Sequence, residues 1–177
     1  MDIEKLKYPI GKFERPIKYT SEILKEYIDI IDQLPQKLTN EVQNLSDEQL
    51  DTQYRPNGWT IRQVVNHFAD SHMNSLIRFK LTITEETPTI KPYFEDRWAE
   101  LSDSKFIPIN SALKMIEGIH ERWVFLLRSL TENDWNKSFY HPETNKELSL
   151  NENLGIYAWH CRHHLAHITE LKKRKNW

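Results

Sequence analysis

Four stretches of the chain place apolar side chains at alternating steps of three and four residues, the spacing of one face of an α-helix. The first runs from about Ser21 to Leu45, with Ile23, Tyr27, Ile30, Ile31, Leu34, Leu38, Val42 and Leu45 on its stripe. Ser21 is placed to cap its start, and Pro35, which has no amide proton, should kink or locally break it. The second opens at Thr60, where Gln63 completes a capping box, and runs to roughly Thr84. The third begins at Asn110 or Ser111 and carries Leu113, Ile116, His120, Trp123, Leu127 and Leu130 along one seam. The fourth runs from near Leu150 to about Lys173, and its basic end, Lys172 to Lys175, complements the helix dipole.

Between the second and third helices, residues 85–110 contain Pro88, Pro92 and Pro108 and read as a long connection, with a short helix around Glu95 to Leu101. A crossover of that length can join two parallel helices. Residues 134–146 form a loop, and a small hairpin around His141 to Leu150 is compatible with the pattern. The expected fold is therefore all-α, a four-helix bundle, in a single domain spanning residues 1–177. A hydrophobic content of 38% over 177 residues is enough to bury one core.

Charge narrows the partners. Twenty-four basic residues against 26 acidic ones give a formal net charge of −2, so no bulk field favours nucleic acid or an anionic membrane. Cys161 is the sole cysteine, which rules out an intramolecular disulfide and points to a reducing compartment, the cytoplasm. The segment Met1 to Lys7 lacks the apolar core of a secretory signal, and nowhere do roughly 18 uncharged apolar residues run together.

The histidines change the picture most. Of eight, four lie between His160 and His167. On a wheel at about 100° per residue, His160 and His164 fall inside the stripe of Ile156, Tyr157, Ile168 and Leu171, while His163 and His167 lie toward one edge. Two histidines four residues apart have β-carbons about 5–6 Å from each other, so both rings can converge on one ion. Burying two imidazoles without partners is unfavourable, and a metal satisfies both. A third ligand must come from another helix. His72 faces the apolar centre of the second helix, whereas His67 lies on its flank in a polar stripe with Gln63, Ser71, Asn74 and Arg78. That stripe reads as a solvated face or as one wall of a cleft, and periodicity alone does not choose between His67 and His72. His120 reads as a hydrogen-bonded core histidine, His141 as structural or substrate-facing, and Arg78 as a partner for a substrate carboxylate or a surface acid.

The stretches GWTIRQVVNHFADSH, Gly58 to His72, and YAWHCRHHLAHITEL, Tyr157 to Leu171, resemble the YfiT-type members of the DinB superfamily. YPIGKF at Tyr8 to Phe13, RFKLTITEETP at Arg78 to Pro88 and FYHPET at Phe139 to Thr144 extend the resemblance over almost the full chain. It implies an up-up-down-down bundle, homodimers, and a metal-dependent hydrolase with one divalent cation on three histidines. Carried over by motif position, the ligands are His67, His160 and His164, which overrules His72. Asn66 stands where some relatives have a second histidine, and Arg162 where a relative has histidine.

On such a site, zinc or nickel would lower the pKa of a bound water to about 7 for attack on a small-molecule substrate. The same open position would favour the thiolate of a low-molecular-weight thiol, and the resemblance extends to bacillithiol S-transferases. A non-enzymatic, metal-stabilised interaction module is the third alternative. No general base is evident, since HExxH is absent and Cys161, not glutamate, follows His160. Cys161 lies outside the metal arc and reads as a packing residue.

Overall fold

The computed structural model describes residues 2–177. In chain order its helices are α1 (Ile3–Lys7), α2 (Ser21–Val42), α3 (Asp47–Leu50), α4 (Ile61–Thr84), α5 (Glu95–Ala99), α6 (Ser102–Phe106), α7 (Asn110–Ser129), α8 (Glu132–Trp135) and α9 (Leu150–Lys175). The strands β1 (Ser138–His141) and β2 (Lys146–Ser149) form an antiparallel hairpin between α8 and α9, with Phe139 opposite Leu148. The four long helices are α2, α4, α7 and α9, which makes the molecule a four-helix bundle. None of the described helices is long and apolar enough to cross a membrane.

Local chemistry sets the helix ends. Thr60 and Gln63 form the expected capping box of α4. The cap of α2 is Thr20, not Ser21: Thr20 is extended and its hydroxyl accepts from the Ile23 amide, leaving Ser21 as the first helical residue. Asn176 closes α9 in the left-handed conformation, with φ 55°. Pro35 does not break α2, which runs unbroken from Ser21 to Val42. The expected short helix in the connection is two, α5 and α6.

The order of helix directions differs from up-up-down-down. Arg162 pairs with Glu26 and Lys172 with Glu41, so α2 and α9 run parallel. Asn153 bonds Ser75 and His160 meets His67, so α4 and α9 run antiparallel. His72 meets His120 and Phe79 meets Trp123, so α7 runs parallel to α4 and opposes α2. The bundle is therefore up-down-down-up. Its physical reason is the connection count: an up-up-down-down order needs two long crossovers, and this chain has one, residues 85–109. Residues 43–60 only turn the corner, and buried Arg62 fastens that corner through Asp51 at 2.7 Å, Asp47 at 2.8 Å and the Ile107 carbonyl at 3.1 Å.

One apolar cluster joins all four long helices, from Ile28 and Leu38 through Val64, Phe68 and Phe79 to Trp123, Leu154 and Leu171. Trp123 is fully buried and packs edge-to-face on Phe79, Tyr157, His72 and His120, so the histidines rest on an aromatic floor. Phe79 touches both Trp123 and Trp135 and is fully enclosed. Phe79→Ala is expected to lower the unfolding free energy by about 3–5 kcal/mol, measured by urea denaturation.

Candidate metal centre

Helix α4 contributes two histidines to the bundle interior, and neither faces solvent. His72 is fully enclosed, as its place on the apolar arc requires. His67 is 6% exposed, and the stripe it belongs to is covered, not solvated. The cover is the crossover: Gln63 Nε2 donates to the Ala99 carbonyl at 2.8 Å, and Asn66 donates to the Ser104 carbonyl at 3.4 Å. Ser71 is likewise buried, and its hydroxyl donates to Tyr157 Oη at 3.3 Å.

His160 and His164 project from α9 toward the same point. The Nε2 atoms of His67 and His160 face each other at 3.0 Å. One nitrogen from each of His67, His160 and His164 lies within 4.8 Å of the other two. Two imidazoles bound at 2.0–2.1 Å to a tetrahedral zinc would have nitrogens about 3.3 Å apart, so the 3.0 Å separation fits a shared ion. Nδ1 of His164 is buried without a protein partner. Trp59 stacks on His164 and packs at a tilt on His67, and Phe68 meets His160 and His164 edge-on, so the rings have apolar walls.

A second set, His163, His164 and His167, also meets within 4.8 Å. Sequence periodicity put His163 and His167 at the edge of the stripe; both are buried, under Trp159 and Tyr54 respectively. His167 Nε2 donates to the Lys7 carbonyl at 3.0 Å, so the N-terminal segment roofs this side of the cluster. A cavity of about 210 Å³, lined by Leu6, Pro9, Tyr54, His167, Glu170 and Arg174, opens beside it. A groove of about 930 Å³ near Lys18, Leu127 and Trp135 lies at the other end of the bundle and is lined by no histidine.

Burial dominates the electrostatics. It pushes His67 down to about 3, with the positive charge of a protonated His163 adding to the effect. It also lowers His72, His160 and His164 well below the usual imidazole value, helped by mutual repulsion among the rings. His120 and His163 fall to about 4 and His167 to about 3. The cluster is thus neutral at physiological pH, the state a cation requires of its imidazole ligands.

Other residues fall where the chemistry puts them. Cys161 is buried, and burial pushes its thiol pKa up, as suits packing and not nucleophilic attack. His120 is a buried hydrogen-bonded histidine. His141 sits on β1, and its pKa is lowered by burial and by the charge of Arg78. Arg78 makes no ion pair among the described residues.

A bundle whose facing helices aim imidazoles at one interior point has the architecture of a metal-site bundle. Residues 30–168 match the profile of the DinB superfamily. A protein of Bacillus cereus (strain 03BB102) is 56% identical over 174 residues, covering 97% of this chain and 98% of its own length. One of Oceanobacillus iheyensis is 54% identical over 171 residues, with the same coverage. Both are provisionally named metal-dependent hydrolases. The structure of YfiT from Bacillus subtilis aligns with a TM-score of 0.95 at 48% identity, over 98% of this chain and 99% of that one. It is described as a probable metal-dependent hydrolase with an unusual four-helix bundle topology. The chain belongs to the DinB superfamily.

The lowered histidine pKa values have a sign. A ring with a folded pKa of 3 to 4 and an unfolded one near 6.5 binds fewer protons folded than unfolded between those values, so folding weakens as pH falls through that window. The metal-free protein is expected to lose urea-denaturation midpoint steadily from pH 7 to pH 4.5; a flat profile would contradict the neutral cluster.

Proposed function

We propose that the protein holds one divalent cation, Zn²⁺ or Ni²⁺, on His67, His160 and His164 and hydrolyses a small-molecule substrate there. The observation that carries the reading is the convergence of one nitrogen from each of these three rings, all neutral, on a point between α4 and α9. The names of the relatives support the reaction class. An ion held by neutral His67, His160 and His164 would keep its full charge and would supply Lewis acidity and activation of water. The chain's own residues do the rest. Phe68 and Trp59 keep the rings apart from bulk solvent, and the crossover holds His67 in place through Gln63 and Asn66. We read residues 1–177 as one domain, because the apolar cluster runs unbroken through all four long helices. A homodimer, which rests on the resemblance alone, in the cytoplasm, which rests on the single cysteine, completes the reading.

Thiol transfer is the second reading, favoured by the same three-ligand site, since an open coordination position also stabilises a thiolate. The cavity bearing both Glu170 and Arg174 next to His167 would suit a small zwitterionic thiol such as bacillithiol. A metal-stabilised interaction module without catalysis is the third.

His67→Ala, His160→Ala and His164→Ala are each expected to abolish stoichiometric metal retention, read by elemental analysis. His72→Ala and His167→Ala should keep it at saturating metal. Retention by His67→Ala and His160→Ala, with loss in His164→Ala and His167→Ala, would move the ion to the His163, His164 and His167 set. To assign the reaction, the metal-loaded protein is incubated with an electrophilic ester or epoxide in ¹⁸O water, with and without bacillithiol. Hydrolysis predicts enzyme-dependent ¹⁸O product without thiol; a thiol adduct formed only with enzyme replaces it with transfer, and neither product leaves the module.

A further inference from the structure

In an α-helix the amide of residue 35 would donate to the carbonyl of residue 31. Pro35 has no such proton, so the Ile31 carbonyl, on a fully buried residue of α2, lacks its intrahelical donor. His120 supplies one from α7: its Nδ1 lies 2.6 Å from that oxygen. Three further ring contacts follow in series. His120 Nε2 is 2.6 Å from His72 Nδ1, His72 Nε2 is 3.1 Å from His160 Nδ1, and His160 Nε2 is 3.0 Å from His67 Nε2.

A carbonyl oxygen only accepts, and this fixes every proton in the series. His120 must donate from Nδ1, so, being neutral, it offers a lone pair at Nε2. His72 must therefore donate from Nδ1 and accept at Nε2. His160 must donate from Nδ1, and its Nε2 carries a lone pair. We infer that Pro35, His120 and His72 form an ordered relay that locks His160 in its Nδ1–H tautomer and presents its Nε2 lone pair to the metal site. The inference rests on His160 being a metal ligand, as proposed above. His120 and His72 are then positioning residues: neither touches the ion, and both act through His160. Metal-ligating histidines generally have the far ring N–H held by an acceptor, and here the acceptor is another histidine, oriented from a proline-vacated carbonyl two rings away. In the metal-free protein His67 Nε2–H is the donor left to meet the His160 lone pair, so entry of an ion requires only His67 to shift its proton to Nδ1.

A pair of buried histidines that merely satisfied core polarity would not depend on proton order, and the two cases separate experimentally. Two-bond ¹H–¹⁵N spectra of the full metal-free chain should show His160, His72 and His120 all protonated at Nδ1 and bare at Nε2. His120→Gln preserves the order, because its amide donates to Ile31 and its carbonyl accepts from His72. His120→Leu does not. Zn²⁺ affinity by chelator competition should stay within about threefold of wild type in His120→Gln and fall about 10–100-fold in His120→Leu, with His160 shifting toward the Nε2–H form. A wild-type His160 protonated at Nε2 overturns the inference even if no variant folds. Loss of metal in His160→Ala beside unchanged affinity in His120→Leu overturns the relay alone. Full-affinity binding by His160→Ala overturns the ligand assignment first, and the relay's link to the ion with it.

Discussion

Each neutral imidazole buried in this bundle carries one N–H and one lone pair, and both need partners where water is scarce. Ring by ring, that requirement organises the interior. His120 answers a carbonyl, His72 answers His120, His160 answers His72, and the series ends between α4 and α9, where only His67 is left to meet the His160 lone pair. An ordinary core would end such a series on a hydroxyl or a backbone group. This one ends on nitrogen, beside a His164 whose Nδ1 has no protein partner. A cation resolves what side chains leave open.

The long crossover does two jobs at once. By spanning the bundle from the end of α4 to the start of α7, it makes those helices parallel and produces the up-down-down-up order. On the way it lays α5 and α6 over the polar stripe of α4, taking bonds from Gln63 and Asn66. A stripe that would otherwise face water becomes an interior wall, and burial then lowers the His67 pKa.

Sequence periodicity reached far for the long helices and less far for what lies between them. The wheel put His160 and His164 inside the stripe of the last helix and His72 at the apolar centre of the second, and the three meet inside the bundle, His72 against His160 and His160 beside His164. It could not place His67, whose flank is closed by contacts that carry no period in α4: Gln63 and Asn66 bond the Ala99 to Ser104 stretch of a proline-rich connection, and Trp59 and two rings of α9 pack on the imidazole. The up-up-down-down order that the resemblance implies is not one that the short corner at residues 43–60 permits. Helices α1 and α3 are too short for a periodic signal. Pro35 was visible as a helix disruptor, yet α2 continues through it; the useful signal was the carbonyl four residues earlier, which only the neighbouring α7 could answer.

The two histidine sets differ in what a cation on them would connect. His163, His164 and His167 lie within five residues of one helix, already rigid, so an ion there closes almost no chain loop. His67 and His160 are 93 residues apart, on antiparallel helices linked by most of the fold. An ion between them ties α4 to α9, and through His72, His120 and the Ile31 carbonyl it is also linked to α7 and α2. Because the unfolded chain cannot hold those ligands together, binding there couples to folding of the whole bundle, whereas the single-helix set would report only on α9. His164 stands in both sets, and its second α9 partner decides which: His167, whose Nε2–H is held by a single bond to the Lys7 carbonyl and whose Nδ1 is free, or His160, whose Nδ1–H is held by three hydrogen bonds in series through the core. The series through the core makes His160 the better-prepared ligand.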